Sequence, residues 1–194
     1  MPTNSIAHQM LRLLTDVVPS VLSETHHHYH DRTLVPLEDM YGEPKYRGIF
    51  FGSKSANGTE TECNIGIISS RENSQRIGQN KILCMKERQV WTSIEGRDTN
   101  REPPFWGGAA TFDDGSWAFI TGATELQDHL LLLGAAKQID VISGEKYDTW
   151  TSLDHPGIRE SMAQFGLNDE GYIALQDSVQ GHFKYVSARL KLAA

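Results

Sequence analysis

At 194 residues, with 39% hydrophobic residues, 7 prolines and 17 glycines, the chain has the length for one sizeable core and a composition outside the disordered and fibrous classes. Its 18 basic and 25 acidic side chains give a formal charge of −7, which argues against nucleic acid, whose phosphates need a concentrated basic surface. No apolar stretch reaches membrane-spanning length, and Cys63 and Cys84 match neither a metal spacing nor a secreted disulfide framework.

One domain over residues 1–194 in a reducing cytoplasm is therefore expected. The opening segment carries no basic leader, and Asp16 interrupts its apolar character, so it does not read as a secretory signal. On that reading the sequon Asn57-Gly58-Thr59 is incidental.

In residues 5–22, Ile6, Met10, Leu13, Leu14, Val17, Val18 and Val21 recur at three- and four-residue intervals. That period predicts an amphipathic helix, capped by Ser5 and kinked or ended by Pro19. The cluster His26-His27-His28-Tyr29-His30-Asp31 follows at or beyond its end, and residues 31–45, with Pro36, Gly42 and Pro44, read as a loop.

Asn57-Gly58 between residues 46–56 and 59–69 predicts a hairpin. Residues 74–86 favour a helix and 89–95 a strand carrying Val90 and Trp91. The run 97–108 reads as an ordered loop, and Asp113-Asp114-Gly115 joins a second hairpin. Thr124 and Gln127 have capping-box spacing ahead of a long, mostly buried helix from Leu126 to Ile142, which Gly144 can stop. A short helix follows Asp154, with Pro156 in its first turn and Gly166 at its end.

Alternation in residues 171–175 and 182–192 then predicts two strands, the last sending Val186, Ala188, Leu190 and Leu192 to one side. The expected fold is α+β, a largely antiparallel sheet packed by helices, with an N-terminal helix and a C-terminal helix-hairpin extension.

Two segments concentrate chemistry. In an extended chain His28 and His30 project to the same side, whereas in a helix His26 and His30 share a face. With Asp31 or Glu38 they would make a two-histidine, one-carboxylate set suited to Fe or Zn. The competing readings are acid/base work without metal and a merely polar helix exit. The second segment is Arg101-Glu102-Pro103-Pro104-Phe105-Trp106-Gly107-Gly108, whose rings, guanidinium and open amides suit a flat or anionic ligand, or else cover the edge of the core. Asp128 is explained by the dipole of the helix it opens, and Asp154-His155 by a cap.

Gly107-Gly108, Asp114-Gly115 and Gly122-Ala123-Thr124-Glu125-Leu126-Gln127-Asp128 set a double-glycine turn, a short hairpin and an acidic helix start in order. In this respect residues 105–142 resemble the GlcG-type heme-binding-like family, which includes the C-terminal domain of the PduO proteins. More faintly, Asn80-Lys81 resembles the family's lysine-bearing helix. The resemblance implies a profilin-like or sensor-like sheet with flanking helices and a heme or corrinoid-related ligand. His30, Arg101, Phe105, Trp106, Gly107 and Gly108 are then the candidate cofactor-binding residues, and His26, His28, His30, Asp31 and Glu38 the candidate metal ligands. The functions in play are a small-ligand or heme-binding protein, a metal-dependent enzyme, and a non-catalytic homo-oligomeric module.

Overall fold

In the computed structural model, helix α1 (Ile6–His30) leads to a four-stranded antiparallel sheet built of two hairpins, β1 (Ile49–Lys54) with β2 (Glu60–Ile65) and β3 (Ala109–Thr111) with β4 (Trp117–Thr121). Helix α2 (Arg71–Arg88) lies between the hairpins in sequence, and α3 (Glu125–Gln138), α4 (Gly144–Trp150), α5 (Pro156–Gln164) and α6 (Asp169–Leu192) follow. The structure describes residues 5–30, 48–68 and 70–192, with the backbone alone for 24–30 and 191–192. The expected α+β fold is observed, with six helices packing the sheet among the described residues.

The strand order is β2-β1-β4-β3, and β1 pairs with β4 in the register Phe51↔Ile120. Because neighbouring side chains alternate between faces, Phe51, Ala110, Ala118 and Ile120 join the main core under α1 and α3, while Phe50, Ala109 and Phe119 face α2 with Ile82 and Met85. Phe119 fills the space left by two glycines: a Cβ at Gly52 or Gly78 would lie within 2.5 Å of its ring.

Both hairpins turn in three residues. The Gly58 amide donates to the Ser55 carbonyl at 2.9 Å and that of Gly115 to Phe112 at 2.9 Å, with φ of +88° and +80° at the two glycines. This is the type I turn closed by a left-handed glycine that three-residue hairpins favour.

Helix α3 is buried on every side from Glu125 to Ala136, as a helix passing through the middle of a domain must be. The predicted capping box of Thr124 and Gln127 forms. Gly134 admits the Phe183 ring of α6, which would lie 2.5 Å from an added Cβ.

Four expectations are corrected. Helix α1 runs through Pro19 to His30 instead of ending near it. The proline removes one donor, but the buried row Met10, Leu14, Val17 and Val21 continues across it and packs chiefly toward α6, so tertiary burial outweighs the local cost.

Residues 171–175 and 182–192 are not strands but parts of α6. Tyr172, Leu175, Val179, Phe183 and Val186 are its buried row at three- and four-residue spacing. The period-2 pattern of the last residues and the glycines at 171 and 181 conceal that row.

The segment 89–95 forms one isolated bridge, Thr92↔Ala110, rather than a strand, since Gln89 turns left-handed at φ 55° to cap α2. Finally, Gly144 does not stop the long helix, which ends at Gln138; it begins α4, which Ser143 caps.

Candidate functional site

The expected loop and the start of α3 meet around Gly107-Gly108. Glu125 and Asp128 occupy the first turn of α3, three residues apart and therefore on one side of the helix. Each carboxylate meets a buried cation. Arg97 Nε lies 2.9 and 3.1 Å from the two oxygens of Glu125. Ser161 donates to Glu125 Oε2 at 2.8 Å and the Gly107 amide to Oε1 at 2.5 Å. Arg97 also reaches Glu160 and Gln164 on α5 and stacks over Trp106 at 5.7 Å. The guanidinium thereby ties the loop, α3 and α5 together.

Three residues further along, Lys81 Nζ of α2 donates to Asp128 Oδ2 at 2.9 Å and to the Ile120 carbonyl at 2.6 Å, while Asp128 Oδ1 accepts from the Ala123 amide at 3.1 Å. Lys81 and Asp128 side chains are 2% and 4% exposed, so the charges persist only because they are paired and hydrogen-bonded. Burial pushes the Asp128 carboxyl up to about 6 even against the pull of Lys81. Gly108, at φ +101°, lies against this pair: an added Cβ would sit 2.7 Å from Asp128 Cβ and 2.8 Å from Lys81 Nζ.

Phe105 is fully buried, with the Arg101 guanidinium 4.0 Å above its ring and held also by Glu87; Trp106 is half-buried. The structure thus brings Arg101, Phe105, Trp106, Gly107 and Gly108 together. Glu125 lies against Gly107, and Lys81 and Asp128 lie against Gly108, while the two apolar clusters pack between sheet and helices.

His26, His28 and His30 lie on α1 rather than on an extended segment, and Asp31 and Glu38 lie outside the described residues. Two residues apart on a helix, His28 and His30 are about 200° apart around the axis, whereas His26 and His30 stand one turn apart. Among the described residues no group of three or more histidine, cysteine or acidic side chains is placed to hold a metal ion. On α2, Arg71 pairs with Glu62 at 3.4 Å and Arg76 with Asn73 at 2.8 Å. His155 caps α5, its Nδ1 accepting from the Gly157 amide at 3.2 Å.

A concavity the sequence did not indicate lies elsewhere. Between α1 and α6 runs a groove of about 670 Å³ lined by Thr15, Asp16, Pro19 and Ser20 on one side and Ser178, Gly181, His182, Tyr185, Val186 and Arg189 on the other. Gly181 keeps the gap open, since an added Cβ there would meet nothing within 4 Å. Arg189 and Asp16 pair across it at 2.6 Å, and Tyr185 is 67% exposed. The strand reading of residues 182–192 kept Tyr185 and Arg189 on one side but put Ser178 in a turn and His182 on the opposite side; a helical reading would have put Ser178, His182, Tyr185 and Arg189 on one face.

No family model matches the chain, and neither a curated protein nor a solved structure matches it. Among the described residues no helix is long and apolar enough to cross a membrane.

Proposed function

We propose that the protein is a small-ligand-binding module whose ligand lies in the groove between α1 and α6. The observation that carries this reading is the groove itself. Its volume of about 670 Å³ is in the range that holds small molecules, and the seam between packed helices is a common place for such a site. Its lining sets a phenol ring beside an imidazole, three hydroxyls and the Arg189 guanidinium, whose bridge to Asp16 leaves its remaining N–H groups as donors, chemistry that suits a planar ligand bearing an anionic group. The buried pairs Lys81–Asp128 and Arg97–Glu125 hold the scaffold and take no part in binding.

The test is titration of the untagged chain with hemin and with anilinonaphthalene sulfonate, two planar anionic probes, in parallel with Gly181→Leu. Leucine at this exposed helical position fills the groove and raises helix propensity by about 1 kcal/mol. Saturable binding that Gly181→Leu abolishes without lowering the unfolding temperature supports the reading. Absence of saturable binding of either probe, or binding indifferent to Gly181→Leu, refutes it.

A second reading rests on the continuation of α1 to His30. It puts His26 and His30 at the one-turn spacing by which two imidazoles on a helix reach one Zn or Fe ion. Elemental analysis and zinc titration of the untagged chain and of H26A/H30A test it. Stoichiometric metal lost in the double variant supports the reading, and metal content unchanged by it counts against it.

A further inference from the structure

The two hairpin turns are chemically different copies of one structure. Asn57 and Asp114 occupy the same turn position, each followed by a left-handed glycine. Asn57 Oδ1 accepts from the Thr59 amide at 3.1 Å and from the Ser55 hydroxyl at 2.5 Å. Asp114 Oδ1 accepts from the Ser116 amide at 2.9 Å and from the Ser116 hydroxyl. Each side-chain oxygen therefore caps the amide two residues on, in one turn as a carboxamide and in the other as a carboxylate.

The leaving and attacking groups are also accessible at the first turn. Asn57, Gly58 and Thr59 are exposed, and the side of Gly58 where a Cβ would stand has no atom within 4 Å. The hydrogen bonds of Asn57 are made by Oδ1, and Nδ2 makes none with the described residues. In this solvent-exposed tip the Gly58 N–H is held by the Ser55 carbonyl and the Asn57 carboxamide by the Thr59 amide and the Ser55 hydroxyl, exposed hydrogen bonds that must open before the nitrogen can attack.

We infer that Asn57 is a site of spontaneous deamidation, with the Gly58 amide nitrogen as nucleophile and the Asp114 turn showing that the fold accepts the aspartate product. The Gly58 nitrogen gives its proton to solvent and bonds to Asn57 Cγ. The Cγ–Nδ2 bond breaks and ammonia leaves with a proton from solvent, closing a five-membered imide. Water then opens the imide. Cleavage between Gly58 N and Cγ restores the ordinary backbone with an aspartate side chain. Cleavage at the original backbone carbonyl leaves an isoaspartyl linkage. The net change is amide plus water to acid plus ammonia, with no oxidant or reductant.

The two products differ structurally. Aspartate keeps the oxygen that caps Thr59 and converts its hydrogen bonds to charge-assisted ones, as at Asp114. The isoaspartyl form lengthens the backbone by one carbon inside a turn whose register is set by its length, so β1 and β2 lose their pairing at Lys54↔Glu60.

The experiment incubates the full chain in mildly alkaline buffer at body temperature, with parallel arms in concentrated urea and with Gly58→Ala. The peptide containing residue 57 is followed by mass spectrometry with fragmentation that separates aspartyl from isoaspartyl products. The folded chain is expected to convert within about tenfold of the urea arm, because an exposed turn hydrogen bond protects only weakly. Gly58→Ala is expected to convert at least about tenfold more slowly in both arms, since a Cβ crowds the attacking nitrogen. Asn57→Asp is expected to unfold at the same temperature as the parent. Conversion confined to urea, conversion indifferent to Gly58→Ala, or a clear loss of thermal stability in Asn57→Asp would each overturn the inference.

Discussion

Asp128 and His129 are consecutive and both fully enclosed, yet α3 sends one to the Lys81 ammonium at 2.9 Å and the other to the Trp150 carbonyl, which His129 Nε2 meets at 3.0 Å. A carbonyl only accepts, so Nε2 carries the hydrogen, and Nδ1 is buried without a partner among the described residues. Burial lowers the imidazole to about 4 while it raises the adjacent carboxyl to about 6. Between pH 6.5 and about 4 the unfolded chain binds a proton at His129 that the folded chain does not, so this residue removes stability as the pH falls. Between 3.8 and about 6 the folded chain holds a proton on Asp128 that the unfolded chain lacks, so this residue adds stability as the pH falls. The two slopes oppose one another.

His129→Gln keeps a donor for the Trp150 carbonyl and does not titrate. Its stability relative to the parent should be independent of pH above 6.5 and then rise by about 3 kcal/mol on approaching pH 4. Urea unfolding at several pH values measures the difference, and a pH-independent difference would contradict the assignment.

Lys81→Met leaves Asp128 buried without its cation and should lose about 3–5 kcal/mol. Lys81→Met with Asp128→Leu removes both charges, and the double variant should lose less than the sum of the two single variants. A double-mutant cycle reads the coupling directly; additive losses would show that the pair contributes nothing as a pair.

Gly108→Ala and Gly115→Ala pose the same left-handed backbone problem at φ of +101° and +80°. Only the first also drives a Cβ into Asp128 and Lys81, since nothing lies within 4 Å of Gly115. Gly115→Ala should cost about 1–2 kcal/mol from backbone strain alone, and Gly108→Ala distinctly more. Equal losses in urea titrations would mean that the buried pair yields without cost.

The two cysteines should react differently. Cys63 is half-buried on β2, whereas Cys84 is on the buried side of α2 and burial pushes its thiol up to about 12. Since the thiolate is the reactive form, a chromogenic disulfide reagent should titrate one thiol in the native chain and two in urea. Two rapid equivalents in the native state would contradict the burial of Cys84.

The fold was legible wherever a residue's role was local. Asn57-Gly58 and Asp114-Gly115 mark their turns, Thr124 and Gln127 close their capping box, and Pro156 opens α5. It was illegible where packing overruled local preference, as in the passage of α1 through Pro19 and the helical state of the alternating residues 182–192. The partners of Glu125 and Asp128 were hidden for another reason. Two acids in the first turn of a helix buried on every side signal that cations must meet them, but Arg97 and Lys81 are 28 and 47 residues distant, and only the fold brings them there. The groove was unreadable because it depends on α6 being a helix.

The Asp16–Arg189 bridge spans 173 residues, and it joins the first helix to the last. During synthesis from the N-terminus, the apolar stripe of α1 emerges before the helix it chiefly packs against. It must wait through the making of both hairpins and the central helix. Any chain halted before Tyr172 carries Val17, Val18 and Val21 without that cover, an exposed surface that chaperones and proteases recognise. A nascent or truncated chain is therefore conspicuous until its last helix closes over its first.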